Sequence, residues 1–398
     1  MGKSFVMMSN YPKAMQCYER AMQIYEYCEG LALKEKKGLL HRDIAKIVQR
    51  LDGDTFEVLE HYRSCVSFLE EFNEWQKVAA VSKEKSDNDP NMRLIQYYSE
   101  MLATLRQVLG IERDKNMKAE LSAEIRDVLH RLGNLYATFA QYDDAKECFA
   151  EVLKTQRDTK DDELRIADLL FNMGHIHLEQ GSPEKSFECL RESYEITKLA
   201  LGEDNKELHS TMYLMGVAMT NLADYGNALK WLSRALSVLR SKENNGDENV
   251  FDEAAQGKIL SQMGAVYERI GDHAKAIIHF QQSVQILKAV QGDDLELSNS
   301  LNSMGNLLRS VSEFGQALDC YDQSLTIRIE LGDQLKIANT KNNIGAVLSA
   351  MEEYDRAMAF SAEALRIKTE RLGCDSVETG RALVNVSCFN GNSHLFSV

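Results

Sequence analysis

An all-α solenoid of stacked helical hairpins, coiled into a superhelix with a concave groove, is the fold the sequence predicts. Three observations predict it. The 398 residues include only 3 prolines and are rich in Ala, Leu, Glu, Lys and Met, which favours helix over strand. A nine-residue frame recurs six times, as "LGNLYATFA" (132–140), "MGHIHLEQG" (173–181), "MGVAMTNLA" (215–223), "MGAVYERIG" (263–271), "MGNLLRSVS" (304–312) and "IGAVLSAME" (344–352). Each frame is followed at fixed offsets by small and large side chains in a second helical stripe.

The frame defines the first helix of each hairpin. Its glycines, Gly133, Gly174, Gly216, Gly264, Gly305 and Gly345, are spaced by 41, 42, 48, 41 and 40 residues, a period that points to a repeat array. Twelve residues on come Ala145, Ser186, Ala228, Ala276, Ala317 and Ala357. Sixteen on come Phe149, Leu190, Leu232, Phe280, Tyr321 and Ser361, and nineteen on come Val152, Ser193, Ala235, Ser283, Ser324 and Ala364. Offsets that differ by four and then three share one helix face. Glycine and alanine suit positions where two helices approach closely. Between the stripes, Ser182-Pro183, Asp224 and Asp272 supply helix-starting chemistry, because their oxygens or fixed φ suit an N-terminus.

Residues 118–370 are therefore expected to form a regular array of six repeats. Met1-Gly2, Phe5, Ala14, Tyr18 and Ala21 reproduce the same offsets, so 1–29 reads as a partial repeat with a truncated first helix. Residues 30–117 read as helical but divergent, with "LDGDTFEVLEHYRSC" (51–65) placing Val58, Tyr62 and Cys65 as in a second helix. "KEKSDNDPN" (83–91) is expected to be a linker, and "SKENNGDENVFDE" (241–253) a solvated acidic loop carrying the excess in the 48-residue spacing. "SVETGRALVNVS" (376–387) opens another first helix, with Ser387 in register, before "CFNGNSHLFSV" departs from the pattern; 371–398 is an incomplete terminal repeat. Solenoids cap their ends with polar faces, so the expectation is a fragment of a longer protein.

Lys plus Arg total 46 against 61 for Asp plus Glu, a net charge of −15. That balance argues against nucleic acid and an anionic membrane surface as partners. The longest apolar run, "MYLMGVAM" (212–219), falls short of the ~20 residues a membrane-spanning helix needs. With no basic-then-apolar opening signal, a cytoplasmic location is expected. Cys148, Cys189 and Cys320 share one repeat position; neighbours in a stack then lie ~10 Å apart, too far for disulfides, and small apolar core residues are expected. His175 and His177 invite a metal reading, but two residues apart on a helix they diverge by about 200°. His177 instead fills the slot of Tyr136 and Tyr267. No metal, cofactor or small-molecule substrate is expected, and no phosphate-binding loop, zinc-protease or nucleophile-elbow motif is present to suggest an enzyme.

Leu/Met-Gly-x-x-Tyr, then Ala, then Phe/Tyr, then Ala or Ser at these offsets resembles the tetratricopeptide repeat. The ~42-residue period, "NNIG" (342–345), "LGEDNKELHST" (201–211) and "LGCDSVETG" (372–380) narrow the likeness to the repeats of kinesin light chains and nephrocystin-3-like proteins over about 118–387. The resemblance implies a cargo-adaptor array that binds short linear peptides, often tryptophan flanked by acidic residues. It also places the first helices along the groove, with the stripe six and three before each glycine and one and four after it facing inward. No heptad coiled coil of the kind that attaches kinesin light chains to a motor is sustained here.

In this chain the candidate groove residues are Asn134, Asn172, His175, Lys258, Arg269, Asn299, Asn302, Asn306, Arg309, Asn339, Asn342 and Asn343. Asparagine carries a donor and an acceptor together, which suits a peptide backbone; on an exposed helix it can equally bond to the next repeat. The lysine and arginines could pair with acidic side chains. The functional expectation is a non-enzymatic protein-interaction scaffold that binds extended peptides in the groove. The alternative is a regulatory array belonging to a larger signalling enzyme or ATPase.

Overall fold

The computed structural model describes residues 2–26, 31–51, 53–78, 90–159, 163–240, 253–290 and 294–384. Helices fill it, and the described residues contain no strand. Two compact units divide the chain, residues 1–180 and 181–398.

The first unit holds α1 (Gly2–Met7), α2 (Tyr11–Glu26), α3 (Leu31–Arg50), α4 (Thr55–Val78), α5 (Pro90–Ile111), α6 (Lys115–Thr138), α7 (Tyr142–Thr159) and α8 (Glu163–Glu179). Helices adjacent in sequence pack together, as short connections dictate. One continuous core runs from Ala14 and Tyr18 through Ile44, Tyr62, Tyr97 and Leu105 to Phe149 and Ile176. The expected second helix at 51–65 is the start of α4, and Val58, Tyr62 and Cys65 are all buried.

The second unit holds α9 (Pro183–Leu201), α10 (Leu208–Asn221), α11 (Tyr225–Arg240), α12 (Glu253–Ile270), α13 (His273–Ala289), α14 (Asp294–Ser310), α15 (Phe314–Leu331), α16 (Gln334–Ala350) and α17 (Tyr354–Leu372). A further helical stretch, 377–384, follows. Here α10–α11, α12–α13, α14–α15 and α16–α17 are antiparallel hairpins, each packed on the next.

The repeat frame works through steric sockets. A Cβ added at Gly216 would stand 2.7 Å from Leu232, at Gly264 3.1 Å from the Phe280 ring, and at Gly305 2.7 Å from the Tyr321 ring. Gly133 meets Phe149 and Gly2 meets Tyr18 in the same way. The large residue sixteen positions on thus lies directly against the glycine backbone. Ala14, Ala145, Ser186, Ala228, Ala276, Ala317 and Ala357, the small residues twelve on, are all 0% exposed.

The turn between the helices is also repeated, and only part of it was visible in the sequence. The residue seven after each glycine adopts positive φ: Ser9, Ala140, Gly181, Ala223, Gly271, Ser312 and Glu352, between 56° and 89°. At each of these except Gly181 its N–H bonds back to the carbonyl three residues earlier, as in Ala140 to Ala137 and Ser312 to Arg309, both 3.1 Å. The next N–H reaches five residues back, Gln141 to Tyr136 and Glu313 to Leu308, both 2.9 Å. This pair of bonds is the Schellman closure of a helix. The residue after the left-handed one then starts the second helix. Asp224 and Asp272 cap it by accepting from the N–H groups of Asn227 and Lys275, both at 3.1 Å. Ser182 sits at the expected N-cap with Pro183 behind it, but its hydroxyl makes no capping bond.

Cys17, Cys65, Cys148, Cys189, Cys320 and Cys374 are free thiols. Burial pushes Cys148 up to about 11 and Cys65 up to about 12, which keeps both as unreactive thiols.

Between α3 and α4, His41 and His61 meet Nδ1 to Nδ1 at 2.9 Å, with His41 stacked on Phe68. Burial lowers both, His41 to about 4, while Glu57 and Glu60 pull His61 the other way. In the unfolded chain both titrate at about 6.5. The pair therefore contributes stability fully above that pH and loses it as pH falls toward about 4. Thermal melts from pH 7 to 5 are expected to fall less steeply in a His41→Asn/His61→Asn variant than in the native chain. Parallel slopes would contradict the assignment.

Candidate peptide groove

In the second unit, α10 touches α12, α12 touches α14 and α14 touches α16, in addition to the hairpin contacts; in the first unit α6 touches α8. Successive second helices make no comparable contact. First helices that touch while second helices do not must lie on the inner side of the local curvature, so within each unit the groove-facing surface belongs to the first helices.

That surface is laced by polar rungs between neighbouring first helices. In the first unit Arg165 pairs with Asp127, His130 Nε2 lies 3.0 Å from Asp168, and Asn172 Nδ2 donates to Asn134 Oδ1 at 3.3 Å. In the second unit Gln262 donates to Thr220 at 3.4 Å and Ser300 to Ser261 at 3.0 Å. Asn343 Nδ2 donates to Asn306 Oδ1 at 3.2 Å and to Asn302 Oδ1 at 3.3 Å. Asn172 and Asn343 occupy the same position, two before the glycine, and make equivalent rungs.

The twelve sequence candidates therefore divide. Asn134 and Asn172 form the rung on α6 and α8; His175 is exposed on α8. Lys258 is half-buried on α12 and Arg269 exposed at its end. Asn299, Asn302 and Asn306 are half-buried on α14, with Arg309 exposed one turn on. On α16, Asn339 is exposed, Asn342 half-buried, and Asn343 is engaged in its rung. The bonds to the next repeat that asparagine was equally suited to make are present at Asn134, Asn172, Asn302, Asn306 and Asn343.

Two second-helix residues complete this surface, and neither was a sequence candidate. Arg328 on α15 is 5% exposed and reaches between α14 and α16. It donates to Asn302 Oδ1 at 3.3 Å, Asn299 Oδ1 at 3.2 Å, the Lys336 carbonyl at 3.3 Å and the Thr340 hydroxyl. Burial lowers its pKa, and Asp333 opposes that. Tyr321, fully buried, donates its hydroxyl to Asn306 Oδ1 at 2.7 Å; burial pushes it up to about 12, with Arg309 pulling the other way. The usable signal was charge at one offset. Twenty-three residues after the glycine, Arg328 and Lys368 stand where Leu239 and Leu287 pack in earlier repeats, and all four are buried.

The inner face carries both signs. Lys258, Arg269 and Arg309 are interspersed with Glu268, whose carboxyl is raised by burial against the pull of Arg269 and His273. Neither metal-ligating clusters of three His, Cys, Asp or Glu side chains nor helices long and apolar enough to cross a membrane occur among the described residues.

Residues 127–159, 165–241, 256–330 and 337–378, together more than half of the chain, match the tetratricopeptide repeat family. Protein kinesin light chain-related 3 of Arabidopsis thaliana is 28% identical over 157 residues, 39% of this chain and 23% of that protein. Kinesin light chain-related 1 of the same plant is 22% identical over 204 residues, 50% of this chain and 32% of that one. The chain thus spans a third or less of the length of these relatives. Among solved structures, a signal transduction ATPase with numerous domains carrying a tetratricopeptide repeat sensor, from Pyrococcus horikoshii, has a TM-score of 0.56 at 12% identity. It covers 90% of this chain and 50% of its own. Aspartyl phosphate phosphatase F from Bacillus subtilis gives 0.54 at 12%, covering 85% and 91%. At such identities these two share the fold. Sockets, turns, family matches and relatives agree: the chain belongs to the tetratricopeptide repeat family and resembles the kinesin light chains.

Proposed function

We propose that this chain is a non-enzymatic protein-interaction scaffold whose first-helix surface binds extended peptide segments. Family membership supports the scaffold, and the adaptor role is the finer reading that the likeness to the kinesin light chains suggests. The observation that carries the peptide reading is the inner face of α12, α14 and α16. It presents Lys258, Asn299, Asn302, Asn306, Arg309, Asn339 and Asn342 on adjacent, mutually touching helices. Alternating amide donors and acceptors at helical spacing match a chain that exposes one N–H and one C=O per residue. The partners are proteins, reached through short linear peptides in the cytoplasm.

The structure also selects the residues that test this. Asn302 and Asn343 hold neighbouring helices together, so altering them mixes folding with binding. Asn339 and Arg309 are exposed. Probed with an immobilised library of random decapeptides, the full chain is expected to capture a subset, and Asn339→Lys with Arg309→Glu to weaken that capture about tenfold or more at unchanged helicity and melting temperature. Capture that is indifferent to both substitutions would move the site elsewhere.

A further inference from the structure

Resting on the groove reading above, we infer that Arg328 and Tyr321 are positioning residues. They turn the asparagines of α14 so that the groove meets its ligand with amide N–H donors and reads carbonyl oxygens of the bound chain.

A free asparagine can present either end of its amide. On α14 that freedom is removed. Arginine has donors only, so Asn299 and Asn302, which both touch the Arg328 guanidinium, must face it with Oδ1. The Tyr321 hydroxyl, held in the core, spends its proton on Asn306 Oδ1 at 2.7 Å. Asn343 adds its Nδ2 to the oxygens of Asn302 and Asn306. All three oxygens are thus consumed from behind by protein donors. The Nδ2 groups of Asn299, Asn302 and Asn306 make no bond among the described residues. The three residues sit three and four apart on one helix, so their amides form a row.

Arg328 lends this row more than orientation. It is a buried cation whose hydrogen-bond acceptors are all neutral oxygens. Its charge polarises the amides it binds and strengthens the outward N–H groups as donors. At Asn299 and Asn302 the direction follows from Arg328, and reversing either amide would set donor against donor there.

Asn302→Asp separates this role from a structural one. The carboxylate keeps both oxygens for Arg328 and Asn343 and supplies the buried cation with a counter-ion, but it offers no N–H to a ligand. Using decapeptides captured from the random library by the native full chain, Asn302→Asp is expected to melt at or above the native temperature. Its affinity for those peptides should fall about tenfold, the loss of one donor. Arg328→Lys, which still donates to the amide oxygens, should retain more affinity than Arg328→Gln, which lets the amides turn. Affinity within twofold of native in Asn302→Asp overturns the inference, as does a melting temperature lowered as far as in Asn302→Ala. Peptides whose capture depends on Asn339 yet ignores Asn302→Asp would leave the groove reading standing and sink this one. Failure to capture any peptide would sink both.

Discussion

Phe149→Ala is expected to destabilise the first unit by about 3–5 kcal/mol, the usual cost of emptying a fully buried aromatic site. Phe149 is 0% exposed, and its ring lies against the backbone of Gly133, in a core continuous with Ala145, Val152 and Leu169. Helix backbone cannot collapse into the space as side chains do, so little of the cavity closes. The pairing also predicts its own partial repair. Gly133→Ala alone clashes with the ring, whereas in the Phe149→Ala background its methyl enters the vacated volume and helix propensity favours it. Equilibrium urea unfolding of the four-member cycle measures the coupling. Additive penalties would mean that glycine and ring do not share a socket.

Gly305→Ala reverses a familiar sign. In the middle of a helix this substitution normally gains about 0.5–1 kcal/mol, because alanine loses less backbone freedom on folding. At Gly305 the new Cβ would stand 2.7 Å from the Tyr321 ring, which is buried and tied by its hydroxyl to Asn306. The ring cannot swing away without breaking that bond and leaving the core, so overpacking dominates and a loss of about 1–3 kcal/mol is expected. Gly315, in the first turn of α15, is the control: nothing lies within 4 Å of its added Cβ. Gly315→Ala should therefore be neutral or stabilising in the same urea titration. Opposite signs at the two glycines support the socket, and equal effects would not.

The sockets were legible because a glycine inside a helix is sterically conspicuous and its partner falls at a fixed offset. Gly257 against Leu287 and Gly38 against Leu69 are sockets of the same kind outside that frame, and they gave no periodic signal. The left-handed turn residue was largely hidden, since Ser9, Ala140, Ala223, Ser312 and Glu352 adopt it without being glycine. The two Schellman bonds hold each of them there against a local cost of roughly 1–2 kcal/mol. Residues 31–111 hid most of their register because α3, α4 and α5 are long, at 20, 24 and 22 residues, and only Val58, Tyr62 and Cys65 on α4 keep the spacing of the repeat.

For the groove, composition disclosed the asparagines but not their directions. Whether an amide faces outward or toward the next helix depends on what stands behind it. Arg328 stands there from a second helix, at a position where leucine packs in earlier repeats. The expected acidic loop up to residue 252, most of the expected linker at 83–91, and Ser387 lie outside the described residues.

Amide hydrogen exchange of the full chain with and without a captured decapeptide tests the central claim most directly. Slower exchange on ligand addition should concentrate in the first helices α12, α14 and α16, leaving α11, α13 and α15 unchanged. Protection confined to the second helices instead would contradict the account.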